Sequence, residues 1–498
     1  MLLSANAKRW DHLYRLLAVL SSVLIALIIG QISAGLAAGL VLGACLVMIG
    51  ISRFEILIHA LIILLPMQSA LPVSLKSLGT LNPFNLLAGV IFAVWLVNGV
   101  LRKRRLFYWN RMSVVIAVFM LVCVAALANS ARLHGFDFMN AQTNALKRWL
   151  SPMLLFFPLA NTRLTRPAIK RLVITMLIMI FIIAMWMTKD IINVGWEHID
   201  AEIRLGGPFG FGGENDMAAF LVYYPAIAFT IALFESRLIQ KMIYGGIFGI
   251  SLFPLILSMS RGAYLGISIV IFFVAIARFR WLLPVIAVAA ISYQFWVPGA
   301  VQHRMESTVI TSNETVGGRV PGPHEMERNL EESSALRVRI WRGAFRMIES
   351  YPVTGIGYNA FQLAVPQYAN MEWGMDAHNM YLRVAAEMGL IALMVFLALF
   401  WVPFLSAWSV YRSTKDRFMR GWLLGLMACI CGIIIVNIFG SRFVREELVG
   451  LYWVSISLMY GYISYRRVRA SRIVEGQNRR LEQRRKQALR SPTNVVMP

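Results

Sequence analysis

The stretch LVITMLIMIFIIAMWM (172–187) is apolar on every side, with no polar face returning each 3.6 residues as on a helix that packs in water. FMLVCVAAL (119–127) and LGLMACICGIIIVNIF (424–439) have the same character. Across 498 residues the hydrophobic share is 58% and the mean hydropathy is +0.64. That is more apolar surface than a water-soluble core of this length uses, so a bilayer is the solvent these segments fit. A span needs about 20 apolar residues. On that rule spans are expected near 13–30, 33–50, 54–69, 84–99, 112–128, 149–160, 169–187, 215–234, 242–259, 262–277, 281–297, 379–405, 420–439 and 448–465. The fold class expected is all-α, a polytopic transmembrane bundle of 12–14 spans; the first pair and the short 149–160 are the members that make the number uncertain. No cleavable signal peptide stands out, and the first apolar stretch reads as a retained span.

Charge sets the orientation. The basic segments LRKRRLFYWNR (101–111), NTRLTRPAIKR (161–171), ESRLIQK (235–241), ARFRW (277–281) and VYRSTKDRFMRG (410–421) all fall on one side of this arrangement. So does the tail from Arg466, and Lys and Arg accumulate on the cytoplasmic side of short loops. Both termini are therefore expected in the cytoplasm, residues 1–12 and 466–498, around a bundle at 13–297 and 379–465. The formal charge of +23 follows this topology rather than marking a nucleic-acid surface. Nor does the tail, with ten Lys or Arg against two Glu over 466–490, carry an aromatic residue on which a base would stack. It reads as a polar extension resting on anionic lipid, or as a solubilising end that stops translocation. Cys45, Cys123, Cys429 and Cys431 lie in apolar spans and form no metal pattern.

Three segments expected on the opposite side hold the interesting polarity: 129–148, 188–214 and 298–378. The last is long for a connection between neighbouring helices and is expected to be a partly helical folded element over the membrane. Within it, Ser333 or Ser334 can cap a helix whose apolar stripe is Val338, Trp341, Phe345 and Ile348. Beside that stripe run Arg339, Arg342 and Arg346, either a phosphate-binding row of forked donors or a solvated face, and Arg337, two residues before Arg339, is a further substrate-binding candidate. In 202–220, Arg204 is available near Glu214, Asn215 and Asp216, one of which is expected to cap the following helix. Arg261 sits between two spans, a candidate for an anionic ligand or simply an arginine reaching the headgroups. His378 stands where the long loop re-enters the membrane. Arg383 and Glu387, four apart on the next helix, either serve substrate or form a structural ion pair.

Arginines around one histidine suit transfer from a phosphorylated lipid: the cations hold a diphosphate as the bond to it breaks, and a neutral imidazole takes a proton. At this point the motifs carry a resemblance. R-x-G-G-P-F-G-x-x-x-E-N-D-x-x-A (204–219), S-R-G-A-Y-L-G (260–266), R-x-x-x-W (337–341), P-V-T-G-I-G-Y-x-x-F (352–361) and H-N-x-Y-L-x-x-x-A-E-x-G (378–389) together resemble the O-antigen ligase and polymerase superfamily. The resemblance covers roughly 200–440. It implies a glycosyltransferase of the bacterial inner membrane, working at the periplasmic or outer face on an undecaprenyl-diphosphate-linked glycan donor. A lipid A core sugar, or another hydroxyl, would be the acceptor in the ligase version, and a second lipid-linked glycan in the polymerase version. Carried onto this chain, it implies that Arg204 and Arg261 engage the diphosphate and that His378 acts on the acceptor hydroxyl. It also implies inverting transfer without a metal or other cofactor. Asn215 is a weaker candidate, because many relatives carry Pro-Asn where this chain has Gly213-Glu214-Asn215-Asp216. A transporter or flippase of anionic lipid or solute would use the same arginines, but its spans would carry charge at depth, and these do not.

Overall fold

The protein, as a computed structural model, is described over residues 43, 45–70, 83–101, 106–199, 203–210, 213–299, 301–302 and 332–490. The spans expected at 13–30 and over most of 33–50, the N-terminal residues 1–12, and residues 303–331 of the large loop lie outside the described residues. From residue 54 onward, each of the twelve expected spans coincides with a helix or a pair of helices broken by one residue. Among the described residues seven helices are long and apolar enough to cross a membrane, and Phe54–Ala70, Arg261–Ala277 and Leu282–Ile291 are shorter apolar segments. The described residues form an all-α polytopic bundle.

Burial sorts the helices into layers. Glu214–Phe234 and Arg417–Val436 have 83% and 78% of their apolar windows buried, against 28% for Leu238–Ile256, so the first two form the centre and the last faces outward. They pack closely because Gly425 brings its backbone against Thr230 and Ile227, where a methyl group would sit 2.5–2.6 Å from their atoms. Thr230 also donates from its hydroxyl to the Gly421 carbonyl at 2.8 Å, joining the two helices with a polar contact inside an apolar layer.

The basic segments gather at one end. There the Tyr108 amide donates to Asn161 Oδ1 (2.7 Å), Arg163 to the Tyr108 hydroxyl (3.0 Å) and Arg466 to Ser413 Oγ (2.9 Å), while Arg166 pairs with Asp416. Residues 204–210, 213–216, 258–261, 352–360, 378–380 and 437–446 meet at the other end, called here the loop end.

Two boundaries differ from the sequence reading. Residues 129–148 are helical apart from a break at Gly135, whose φ of +88° ends Arg111–His134 and starts Phe136–Leu154. The short span expected at 149–160 is thus the second half of a longer one that begins among polar residues. The basic tail is the continuation of the last span in a single helix, Glu446–Arg490.

The large loop builds a small core of its own. Helix Glu332–Ser350 begins before Ser333 and Ser334, so neither is its cap. Its buried face is Ile340, Ala344 and Met347, one position off the expected stripe, and Phe345 is exposed. The reason is its seat: these residues pack on Ile356, Phe361, Val365 and Ala386 rather than on a flat membrane surface.

This unit is fastened to Met380–Ser413 through a break in that helix. Gly389, at φ +87°, interrupts the helical ladder and exposes the carbonyls before it. The Ile356 amide then donates to Ala386 O (2.9 Å), Gly357 to Glu387 O (3.0 Å), and Leu390 back to Pro352 O (2.8 Å). Loop backbone thereby takes the place of helix bonds lost at the break. Gly355 sits at φ +64° with its Cα hydrogen turned onto Glu387, where a Cβ would come within 2.3 Å of backbone. Gly355→Ala is expected to cost about 2 kcal/mol or more, from left-handed strain together with the clash. Thermal unfolding in detergent checks this against Gly135→Ala, where nothing lies within 4 Å and only the strain remains.

Candidate active site at the loop end

Asn215 is the first fixed point. It was expected among the caps of Glu214–Tyr223, but the cap position belongs to Gly213, and no side chain caps this helix. Instead Asn215 Oδ1 accepts from Arg204 Nη2 (2.9 Å) and from Ser260 Oγ (3.1 Å), while Arg204 Nε donates to the Ser258 carbonyl (3.1 Å). Arg204 is thus held half-buried across two segments 54 residues apart in sequence. Ser260 is the N-cap of Arg261–Ala277, so Arg261 occupies the first helical position, with Met259 before it in a left-handed conformation (φ +53°). A cation at a helix N-terminus works against the macrodipole, by about 0.3–1 kcal/mol. Its position there makes chemical sense when an anion is to be received.

His378 is equally constrained. Its φ is +48°, uncommon for a residue with a side chain, and its amide donates to Asp376 Oδ2 at 2.9 Å. Trp341 Nε1 holds the Ala377 carbonyl at 2.9 Å, and Asn379 caps the next helix by accepting from the Tyr381 and Leu382 amides. Burial pushes the His378 imidazole below its ordinary pKa; Asp376 works in the opposite sense, and Arg337 and Arg442 lower it further. The ring is therefore neutral at pH 7. Arg337, a substrate-binding candidate from sequence, lies close enough to His378 to act on it electrostatically.

Sequence reasoning missed the turn that joins these parts. Asn437 Oδ1 accepts the amides of Arg442 (3.1 Å) and Phe443 (3.0 Å), and its carbonyl accepts the Met380 amide (2.9 Å), tying the turn to the residues after His378. Arg442 is buried; it donates from Nη1 to Val436 O (3.0 Å) and lies 3.6 Å from Asp216 Oδ1. Arg445 reaches the other oxygen of Asp216 at 3.4 Å. Asp216 follows Asn215, so the Arg204–Asn215–Ser260 contacts and the His378 surroundings are linked through Asp216 and Arg442. The sequence did hold a signal: Arg442 and Arg445 stand on the side where short loops disfavour positive charge.

The remaining candidates are placed elsewhere. Arg339 donates to Ala369 O (3.1 Å) and to Asn370 O, and Arg346 donates to Tyr368 O (2.8 Å). These carbonyls end the helix Phe361–Ala369, which makes the two arginines C-terminal caps that fasten one loop helix to the other. Arg342 is half-buried on the same helix. Arg383 and Glu387 pair at 3.2 Å, with Asp376 at 3.3 Å from Arg383 and Asn359 also accepting from it. Glu387 Oε1 additionally accepts the Phe361 amide at 3.3 Å, which puts this pair inside the junction between the loop unit and the bundle.

Residues 246–397 match the family model described as O-antigen ligase. The O-antigen ligase of Pseudomonas aeruginosa is 30% identical over 146 residues, 28% of this chain and 34% of that protein. The chain thus spans about a third of the length of the curated relative it matches. The family match takes in Arg261, the Gly355–Gly389 junction and His378, while Arg204 and Arg442 lie outside it. Residues 246–397 of this multi-pass helical bundle are thus similar to the O-antigen ligase family, in agreement with the motifs and their order.

Proposed function

We propose that the protein is a glycan ligase that transfers an undecaprenyl-diphosphate-linked, O-antigen-like glycan to a hydroxyl of a lipid A core, with the loop end facing away from the cytoplasm. The observation that carries this reading is the convergence of Arg204, locked to Asn215, with Arg261 at a helix N-terminus and a neutral, backbone-strained His378 at one end of the bundle. In the proposed step the acceptor oxygen attacks the anomeric carbon as its proton passes to the His378 imidazole. The bond from that carbon to the diphosphate oxygen breaks, and its electron pair leaves with undecaprenyl diphosphate. Arg204 and Arg261 offset the charge that develops there. Asn215 orients Arg204, and burial, with Arg337 and Arg442, keeps the imidazole unprotonated. One displacement of this kind inverts the anomeric centre. The likeness to the O-antigen ligase family supports a place in the bacterial inner membrane, and the charge bias of the loops supports both termini in the cytoplasm.

The test uses purified protein in liposomes with an undecaprenyl-diphosphate glycan, offered a lipid A core acceptor or no added acceptor, with and without a chelator. Glycan on the core, unaffected by chelator, is the expected result. Lengthening of lipid-linked chains without added core would make the enzyme a polymerase, and movement of intact donor across the bilayer without transfer would make it a flippase. Arg204→Gln is expected to lower transfer about 10²–10³-fold, as when one preorganised donor to a developing charge is lost. The fall should appear in single-turnover rate as well as in donor affinity.

A further inference from the structure

A cavity lies at the opposite end of the bundle, among the basic segments. It has a volume of about 1220 Å³ and lies between the start of Arg111–His134, residues 107–110, the second half of Met380–Ser413 and the helix Glu446–Arg490. That exceeds the roughly 300–1,000 Å³ of a small-molecule pocket. Arg111 and Arg467 both line it, and both lie close enough to the Tyr460 hydroxyl to act on it electrostatically. Tyr460 is held in place by a 2.8 Å hydrogen bond with Ser406, itself on the wall. No carboxylate among the described residues forms a salt bridge with either arginine. Asparagines and serines share the wall with an apolar part that includes Val402, Val410 and Ile463 and continues to Val114 and Leu405, which are 51% and 45% exposed on the bundle's flank. One cavity thus offers two cations and a hydroxyl at the level of the basic loops, and a greasy exit sideways.

We propose that this cavity is a binding site for one anionic diacyl phospholipid, its phosphodiester held between Arg111 and Arg467 beside Tyr460 and its acyl chains leaving past Val114 and Leu405. A free anion would need the cations but not the apolar exit, and a zwitterionic lipid would fit the exit but bring its own cation against two arginines. Basic pockets between transmembrane helices on the cytoplasmic side suit anionic headgroups. The site is far from His378 and is independent of the transfer reaction proposed above.

The test is native mass spectrometry of the full-length protein in detergent, titrated with phosphatidylglycerol or phosphatidylcholine. One phosphatidylglycerol should be retained about 30-fold more tightly than phosphatidylcholine, since each basic residue near an anionic headgroup contributes roughly fivefold. Arg111→Gln with Arg467→Gln should abolish that preference; both side chains are exposed in the structure, so the fold should survive. Ser409→Trp, on the wall, keeps the charges and fills the space, and should reduce retention of both lipids. A preference that persists in the double variant, or binding unchanged by Ser409→Trp, overturns the proposal. Displacement of the lipid from the unmodified protein by millimolar inorganic phosphate also overturns it, in favour of a plain anion site.

Discussion

Replacing His378 with alanine is expected to reduce glycan transfer by about 10²–10⁴-fold, the range a positioned general base contributes, with little effect on folding or donor binding. The side chain is half-buried, but it is its amide that bonds Asp376, and the neighbouring Ala377 carbonyl bonds Trp341, so truncation leaves those anchors in place. The expected pH dependence follows from the environment. Burial, with Arg337 and Arg442, lowers the imidazole pKa from its ordinary 6.5, against a smaller opposing effect of Asp376. A base acts in its neutral form, so the acid limb of the rate profile should have its midpoint below pH 6.5. Arg337→Gln removes one of the lowering charges, and its acid limb should move up in pH. Stability carries the same sign: the unfolded chain takes up this proton more readily, so the contribution of His378 to stability is intact above pH 6.5 and lost below it. A rate profile unchanged in Arg337→Gln, or full activity in His378→Ala, would remove His378 from the chemistry.

The bundle was legible in the sequence because membrane helices announce themselves without periodicity: an unbroken apolar run needs no partner to be recognised. What failed were positions where the polar partner is distant in sequence. The helix Phe136–Leu154 opens with FDFMNAQTNALKRW, too polar to read as a span, yet Trp149 inside it is buried with its Nε1 on Phe443 O at 3.1 Å. Arg339 and Arg346 looked like phosphate ligands because nothing local satisfies them; their partners are carbonyls 22–31 residues on, at a helix end formed only when the two loop helices pack. The candidates Arg204, Arg261 and His378 came to notice through motifs. Arg442 was overlooked because SRFVREE (441–447) reads as an ordinary short connection, and only the fold returns it to Asp216, which from sequence was no more than a possible cap.

Removing Glu387 is expected to cost about 3–5 kcal/mol of stability, the penalty for leaving a buried cation without its partner. Arg383 and Glu387 have side chains only 16% and 4% exposed, and the pair sits where the broken helix at Gly389 receives the loop unit. Glu387 serves two donors there, Arg383 and the Phe361 amide, so Glu387→Ala orphans a backbone N–H as well as a guanidinium. Loss of the folded protein from the membrane, and a lowered thermal midpoint in detergent for what remains, are the readouts. This alone does not separate a structural pair from one that touches substrate, since an unfolded enzyme is inactive for either reason. The double variant Arg383→Met, Glu387→Leu does. An apolar pair of similar volume in place of a buried ion pair is often neutral, and the residual cost here should be about 1–3 kcal/mol for the unsatisfied Phe361 amide. If the pair only fastens loop to bundle, the double variant folds better than Glu387→Ala and retains transfer within about tenfold. If the pair contacts the glycan or the diphosphate, the double variant folds equally well but is as slow as the arginine variants at the site. The first outcome is expected, because Asp376, Asn359 and Glu387 already occupy Arg383 from three sides, and a guanidinium so engaged has few donors left for a ligand.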